Sequence, residues 1–333
     1  MNTTQFSEMR YLMSKIKTKL HKIFRSLMQS KGTRTDRTPA HVLEARKVLG
    51  GVNLVGFSEV FSGNFGDLVG PYIYQKLTGK TADTFPVNKQ KVPEERKHFL
   101  IIGSILHFST NQSHLWGIGL MKARDAEKHK EVFSASRIFA VRGPITRKHL
   151  ISSGIISERH PLAYGDPAIL LPLFHNPECE KKYEIGLIPH VKDYEKVKEK
   201  YKDQPHVRVI QLGDLGYEFS NIEPVIDEIK ECQRVISSSL HGVIVCHSYD
   251  VPVCWANFTE VTKRGKSGTS HTKFKDYYLS VALECPNPVD LTTQLFSEAD
   301  LTFTLPEKGK IEELQKGLIN FAPFNISHNP LAS

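Results

Sequence analysis

The chain has 333 residues, 40% hydrophobic and 24% charged, with a formal net charge of +8 and five cysteines. That suits a globular protein with a sizeable core and the length of about two domains. A disulfide scaffold is excluded, because Cys179, Cys232, Cys246, Cys254 and Cys285 are odd in number and lack CxxC spacing, as expected of reduced thiols.

Residues 1–37 hold nine Lys/Arg and two Asp/Glu, a net of +7, leaving 35 basic against 34 acidic residues, a net of +1, for the rest. A body without charge excess has no electrostatic footprint for nucleic acid. Within residues 1–38, Met9, Leu12, Ile16, Leu20, Ile23, Phe24 and Leu27 recur at helical spacing between Arg10, Lys15, Lys17, Lys19, Lys22 and Arg25. This basic amphipathic tail reads either as docking on an anionic membrane or a partner, or as a helix packed on the body. No run approaches the ~20 apolar residues of a spanning helix, and lysines interrupt the tail where a signal peptide needs an unbroken apolar core. The expectation is a cytoplasmic protein, with peripheral contact at the inner membrane face through the tail.

After a polar break around residues 30–39, β-rich runs alternate with helical patterns, the mark of parallel βαβ units. The first series has strands at 52–57, 99–103, 115–119 and 138–141 and helices at 67–77 and 144–151. Residues 164–176, with Pro167 and Pro172, link it to a second series. That series has strands at 184–188, 207–211, 234–237 and 252–256 and helices at 191–201, 223–232, 242–249 and 273–282. A last helix, 307–321, is expected to cross back onto the first domain. The division is 39–175, 176–305 and a C-terminal helix and tail at 306–333. Two open parallel sheets facing each other leave a cleft outside the carboxyl ends of their strands, where ligands bind.

Ser62-Gly63-Asn64-Phe65-Gly66-Asp67 follows an apolar strand and opens an amphipathic helix. Its glycines permit close backbone approach and the helix start offers free N–H groups to an anion; equally, Asp67 reads as a helix cap. Arg142-Gly143-Pro144 ends a strand and starts a helix, so Arg142 is expected to project toward the cleft and meet a carboxylate or phosphate. Arg147, one turn on, reads as solvated. Asp166, in Gly165-Asp166-Pro167, suits either a sugar hydroxyl or a turn.

The sharpest segment is Ser237-Ser238-Ser239-Leu240-His241-Gly242, a hydroxyl-rich turn between a buried strand and a buried helix. A histidine there is placed to meet an anion or transfer a proton. His247, within the apolar helix, reads as a core residue. The loop 262–272, carrying Lys263, Arg264, Lys266 and His271, leads into Lys273 and reads as a basic closure over phosphate or as solvated surface. HExxH, paired Cys/His and GxSxG patterns are absent from the sequence.

In this order and spacing, Gly63-Asn64-Phe65-Gly66-Asp67, Arg142-Gly143-Pro144, Gly165-Asp166-Pro167-Ala168, Ser238-Ser239-Leu240-His241-Gly242 and residues 273–280 resemble the polysaccharide pyruvyltransferase family. The resemblance implies an α/β fold of two Rossmann-like lobes with parallel sheets and an interdomain cleft, similar to two-domain glycosyltransferases. It further implies a pyruvate ketal placed on a cell-surface polysaccharide or its lipid-linked precursor, as in bacterial exopolysaccharide or capsule biosynthesis. Phosphoenolpyruvate is then the co-substrate, with no other cofactor and no metal. Residues 39–175 become the acceptor side and 176–305 the donor side. His241 becomes the acid and Asp67 the acceptor base. Asn64, Gly66, Arg142, Asp166, Ser238, Ser239, Leu240, Gly242, Arg264 and Lys273 become substrate contacts. Some relatives carry arginine before the Leu-His pair where this chain has Ser239, a contact that Arg264 or Lys273 would replace. A nucleotide-sugar glycosyltransferase and a non-catalytic glycan-binding protein are the other readings.

Overall fold

The computed structural model describes residues 38–58, 63–87, 95–122, 124–128, 130–132, 134–260, 269–327 and 329–331. The amphipathic tail, Ser62, Arg264 and most of the basic loop lie outside them.

Helix α1 (Ala40–Leu49) leads into β1 (Leu54–Phe57), α2 (Phe65–Thr78), β2 (Asp83–Pro86), β3 (His98–Leu100) and β4 (Ser113–Ile118). Then come α3 (Arg124–Lys128), β5 (Ile138–Val141), α4 (Pro144–Ser152) and β6 (Ala163–Tyr164). The six strands form one sheet in the order β2-β1-β3-β4-β5-β6, each neighbour parallel. Strands β1, β4 and β5 are buried along their whole length, because helices cover both faces of a parallel sheet.

The second series is β7 (Tyr183–Ile188), α5 (Tyr194–Lys200), β8 (Val207–Val209), α6 (Ile222–Lys230), β9 (Cys232–Ser237) and α7 (Leu240–Ser248). It continues with β10 (Val253–Asn257), α8 (Thr269–Ser280), β11 (Val289–Asp290) and α9 (Lys310–Asn320). Its sheet runs β11-β10-β9-β7-β8, again all parallel. The chain thus adopts the expected α/β architecture of two Rossmann-like lobes. Strand order reverses beside β1 in one sheet and beside β7 in the other, and such switch points open a crevice at the strands' carboxyl ends.

Helix α6 shows how sequence places an element. Ile222, Val225, Ile226 and Ile229 recur at i, i+3, i+4 and i+7 and are all buried, each stabilising the fold by about 2 kcal/mol. The helix stops at Lys230 and Cys232 already belongs to β9, two residues earlier than the apolar pattern suggests. Helix α7 likewise begins at Leu240, so His241 sits in a first helical turn and not in the loop before it.

Between the lobes, the segment expected to be a simple linker is a buried 3-10 helix, Pro167–Leu173, packed against α2, α7 and α9. Helix α9 and the residues after it lie on the first lobe. The Trp116 indole N–H donates to the Leu318 carbonyl at 3.0 Å, and Gln315 donates to the Ile169 carbonyl at 2.7 Å. Arg46 of α1 donates to the carbonyls of Ile319 and Ala322 at 3.0 and 2.9 Å. Phe324 meets the rings of Tyr74, Phe99 and Trp116 edge-on at 5.2, 5.3 and 5.2 Å. Among the described residues no helix is long and apolar enough to cross a membrane.

Candidate active site at the facing strand ends

The turn after β1 is shaped by glycine. Gly63 has φ 57°, and a Cβ there would fall 2.3 Å from the Gly216 carbonyl oxygen of the second lobe. Backbone therefore meets backbone, with Leu215 N–H donating to the Gly63 carbonyl at 3.1 Å and Phe65 N–H to that of Leu212 at 2.8 Å. Asn64 caps α2, its side-chain oxygen accepting from Gly66 N–H at 3.0 Å. The cap is thus Asn64; Asp67 stands in the first turn.

At the switch point of the second sheet, Ser238 Oγ accepts from His190 N–H at 2.8 Å, joining the exits of β7 and β9. Ser237 Oγ accepts from Ser239 N–H at 3.0 Å, and a Cβ on Gly242 would lie 2.4 Å from that oxygen. Ser239 opens α7 with no side-chain cap, so the first-turn N–H groups of Leu240, His241 and Gly242 lack intrahelical acceptors and form a positive end.

The His241 ring crosses to the first lobe. A Cβ on Gly66 would fall 2.0 Å from its Nδ1, so only glycine at 66 lets the imidazole lie there. Its Nε2 stands 4.0 Å from Asp166 Oδ2, and both atoms are buried without a hydrogen-bond partner. Asp166 itself is 0% exposed and uses its other oxygen to accept from Ala168 N–H at 3.1 Å. Burial, then Lys273 and Arg142, push His241 down to about 3. Burial pushes Asp166 up to about 6, against the Ala168 hydrogen bond and Arg142, which favour the carboxylate. Lys273 of α8 is lowered to about 8, by burial first and then by Arg142. His190 is lowered as well, by burial and then by Lys273.

Arg142 does not project into the cleft. It is 1% exposed, donates to Ser104 Oγ at 2.8 Å and to the Leu120 carbonyl at 3.3 Å, and sets Nε 3.3 Å from Asp276 Oδ2. Its guanidinium lies against Gly119, where a Cβ would come within 2.3 Å of Cζ. The carboxylate it meets is the protein's own. Asp276, on α8, also accepts from Ile145 N–H at 2.9 Å, Thr146 N–H at 3.0 Å and Thr146 Oγ1 at 2.6 Å. A side chain of the second lobe thus caps α4 of the first. Its role went unread in the sequence, although a helix starting Gly143-Pro144 has no side chain to cap itself and needs an acceptor from elsewhere.

Arg147, read as solvated, donates to the carbonyls of Glu158 and His160 at 2.7 and 3.2 Å. His247 is a core residue, with Nδ1 3.1 Å from Tyr277 Oη and Nε2 3.1 Å from Thr304 Oγ1. A groove of about 690 Å³, lined by Tyr194, Lys198, Arg208 and Glu228, lies along the outer edge at β8, away from His241. Among the described residues no three His, Cys, Asp or Glu side chains gather as a metal cluster.

Two parallel-sheet lobes thus meet at their strand ends over a half-buried histidine, the arrangement of a two-lobed α/β protein with its cleft at the switch points. The model of the polysaccharide pyruvyl transferase family matches residues 64–257, and the chain belongs to that family. The match takes in Asn64, Arg142, Asp166 and His241 and ends before Lys273. An uncharacterized protein of Acanthamoeba polyphaga mimivirus is 28% identical over 228 residues, 66% of this chain and 72% of that one. A crystal structure of a Klebsiella pneumoniae protein, also titled uncharacterized, aligns with a TM-score of 0.41 and 13% identity over 72% of this chain and 97% of the other. Family membership makes pyruvyl transfer to polysaccharide the general activity.

Proposed function

We propose that the chain transfers the pyruvyl group of phosphoenolpyruvate onto two hydroxyls of a saccharide, closing a cyclic ketal, with His241 delivering the proton that starts the reaction. One observation carries this reading: His241 is held at the uncapped start of α7, against Gly66 of the other lobe and 4.0 Å from Asp166. Protonation of the donor's C3 makes C2 oxocarbenium-like. One hydroxyl adds, the C2–O bond to phosphate breaks, and the second hydroxyl closes the ring.

The donor's phosphate and carboxylate suit Lys273 and the free N–H groups of α7. Arg142, already engaged by Asp276, adds positive charge from behind. An imidazole pushed to about 3 is neutral before the donor binds, so the proton it delivers is supplied on demand; the donor's negative charge favours that supply. Asn64, Gly66 and Asp67 line the acceptor side in this scheme, with Asp67 as base for the first hydroxyl. A lipid-linked acceptor at the inner membrane face rests on the composition of residues 1–37 alone.

The test is incubation of the full chain with phosphoenolpyruvate and a panel of galactosides, glucosides, mannosides and N-acetylhexosamines, free and lipid-linked, with phosphate release and product mass as readouts. Phosphate release matched by a product carrying one pyruvate ketal is expected, with His241→Gln lowering kcat by about 10²–10⁴. Turnover of nucleotide sugars in place of phosphoenolpyruvate, or full activity in His241→Gln, would sink the proposal.

A further inference from the structure

We infer that Asp166 is the proton partner of His241 and that the two act as a relay, a deepening that rests on the pyruvyl-transfer reading. Buried polar atoms are almost always hydrogen-bonded. Here Asp166 Oδ2 and His241 Nε2 are both orphaned, and they face each other. At 4.0 Å the pair is about 1 Å too long for a hydrogen bond, and catalytic hydrogen bonds commonly tighten only when substrate binds. With Nε2 turned to Asp166, Nδ1 is the nitrogen left for the donor.

The groups around the pair come from several elements. Arg142, at the exit of β5, acts on both residues; Lys273 and Asp276 of α8 act on His241 and Asp166 respectively. Tyr277, also on α8, is close enough to feel the Asp166 charge, and Asp67 follows Gly66 in α2. Burial favours the neutral ring and the protonated carboxyl, which keeps its proton below pH about 6; there the pair is in the starting state a relay requires.

The relay balances. Asp166 passes its proton to Nε2 as Nδ1–H is given to C3, leaving a neutral ring with its hydrogen on the other nitrogen and a carboxylate at Asp166. As the ketal closes, the two acceptor hydroxyls release two protons. One leaves on the phosphate; the other enters at Nδ1 while Nε2–H returns to Asp166. No free imidazolium is needed.

Asp166→Asn keeps an oxygen for Ala168 N–H and cannot pass a proton. We expect kcat to fall about 10²–10³-fold, with KM for phosphoenolpyruvate changed less than about threefold. Wild-type kcat/KM should decline above pH about 6 as Asp166 ionises, and the variant should lack that limb, the donor's own ionisation being common to both. A second measurement needs no turnover: ¹⁵N-histidine NMR of the unliganded wild type, with the His241 signal assigned through His241→Gln. The ring should carry Nδ1–H below that pH and Nε2–H above it, as the carboxylate begins to accept.

A tautomer that stays fixed from about pH 5 to 8 would overturn the relay. So would an Asn variant within twofold of wild-type kcat, or one that loses kcat with the pH limb intact. If wild type turns over no phosphoenolpyruvate, the functional reading fails while the NMR titration still decides the pair.

Discussion

Gly66→Ala separates the site from the fold. The new Cβ would stand 2.0 Å from His241 Nδ1 and 2.3 Å from Cε1, about 1.5 Å short of ordinary contact. The ring, 19% exposed, can yield by swinging away, and a shift of about 1 Å in a reacting group costs about 10² in rate. Stability moves the other way in part, since alanine is favoured over glycine in a helix by about 1 kcal/mol and overpacking costs about 1–3 kcal/mol. The net change should stay within about 2 kcal/mol. Initial rates of phosphate release at saturating donor, beside a thermal melt followed by circular dichroism, read both quantities. A variant that melts like its parent and retains its rate within twofold would refute the placement of His241 against Gly66 as essential.

Asp276→Asn should cost about 3–5 kcal/mol in urea denaturation, because it leaves Arg142 buried without its counter-charge; a loss below 1 kcal/mol, on the order of a surface pair, would contradict the buried ion-pair account. Lys273→Met should raise KM for phosphoenolpyruvate about 10–100-fold, the worth of one hydrogen bond to a charged group. Lys273 carries its charge below about 8 and loses it above, so wild-type kcat/KM should fall above that pH. Lys273→Arg should move this limb out of range, and a limb unmoved in both variants would assign the titration elsewhere.

The two-sheet architecture was legible because parallel strands covered on both faces read as short apolar runs, as in Leu115 and Trp116 of β4 or Ile138 to Val141 of β5. Strand β2 escaped notice because Asp83 and Thr84 are exposed at a sheet edge, and β6 is two residues long. Helix α1 was missed behind Pro39, where its polar face outweighs buried Val42 and Leu49. Within the site, His241 stood out by its place after a buried strand. The contacts that give it meaning did not: Gly66 and Asp166 approach it from 175 and 75 residues away in sequence, and no local pattern encodes such an approach. Arg142 was misjudged for the same reason, since its partner Asp276 comes from the other lobe.

The return of α9 to the first lobe has a consequence for synthesis. Lobes that are continuous in sequence can fold one after the other as they leave the ribosome. Here Trp116 finds its acceptor only in Leu318, and the rings of Tyr74 and Phe99 close only around Phe324. The lobe that is translated first is therefore completed last, after the second has already emerged, and it must wait with its central aromatic cluster open until the chain comes back to fill it.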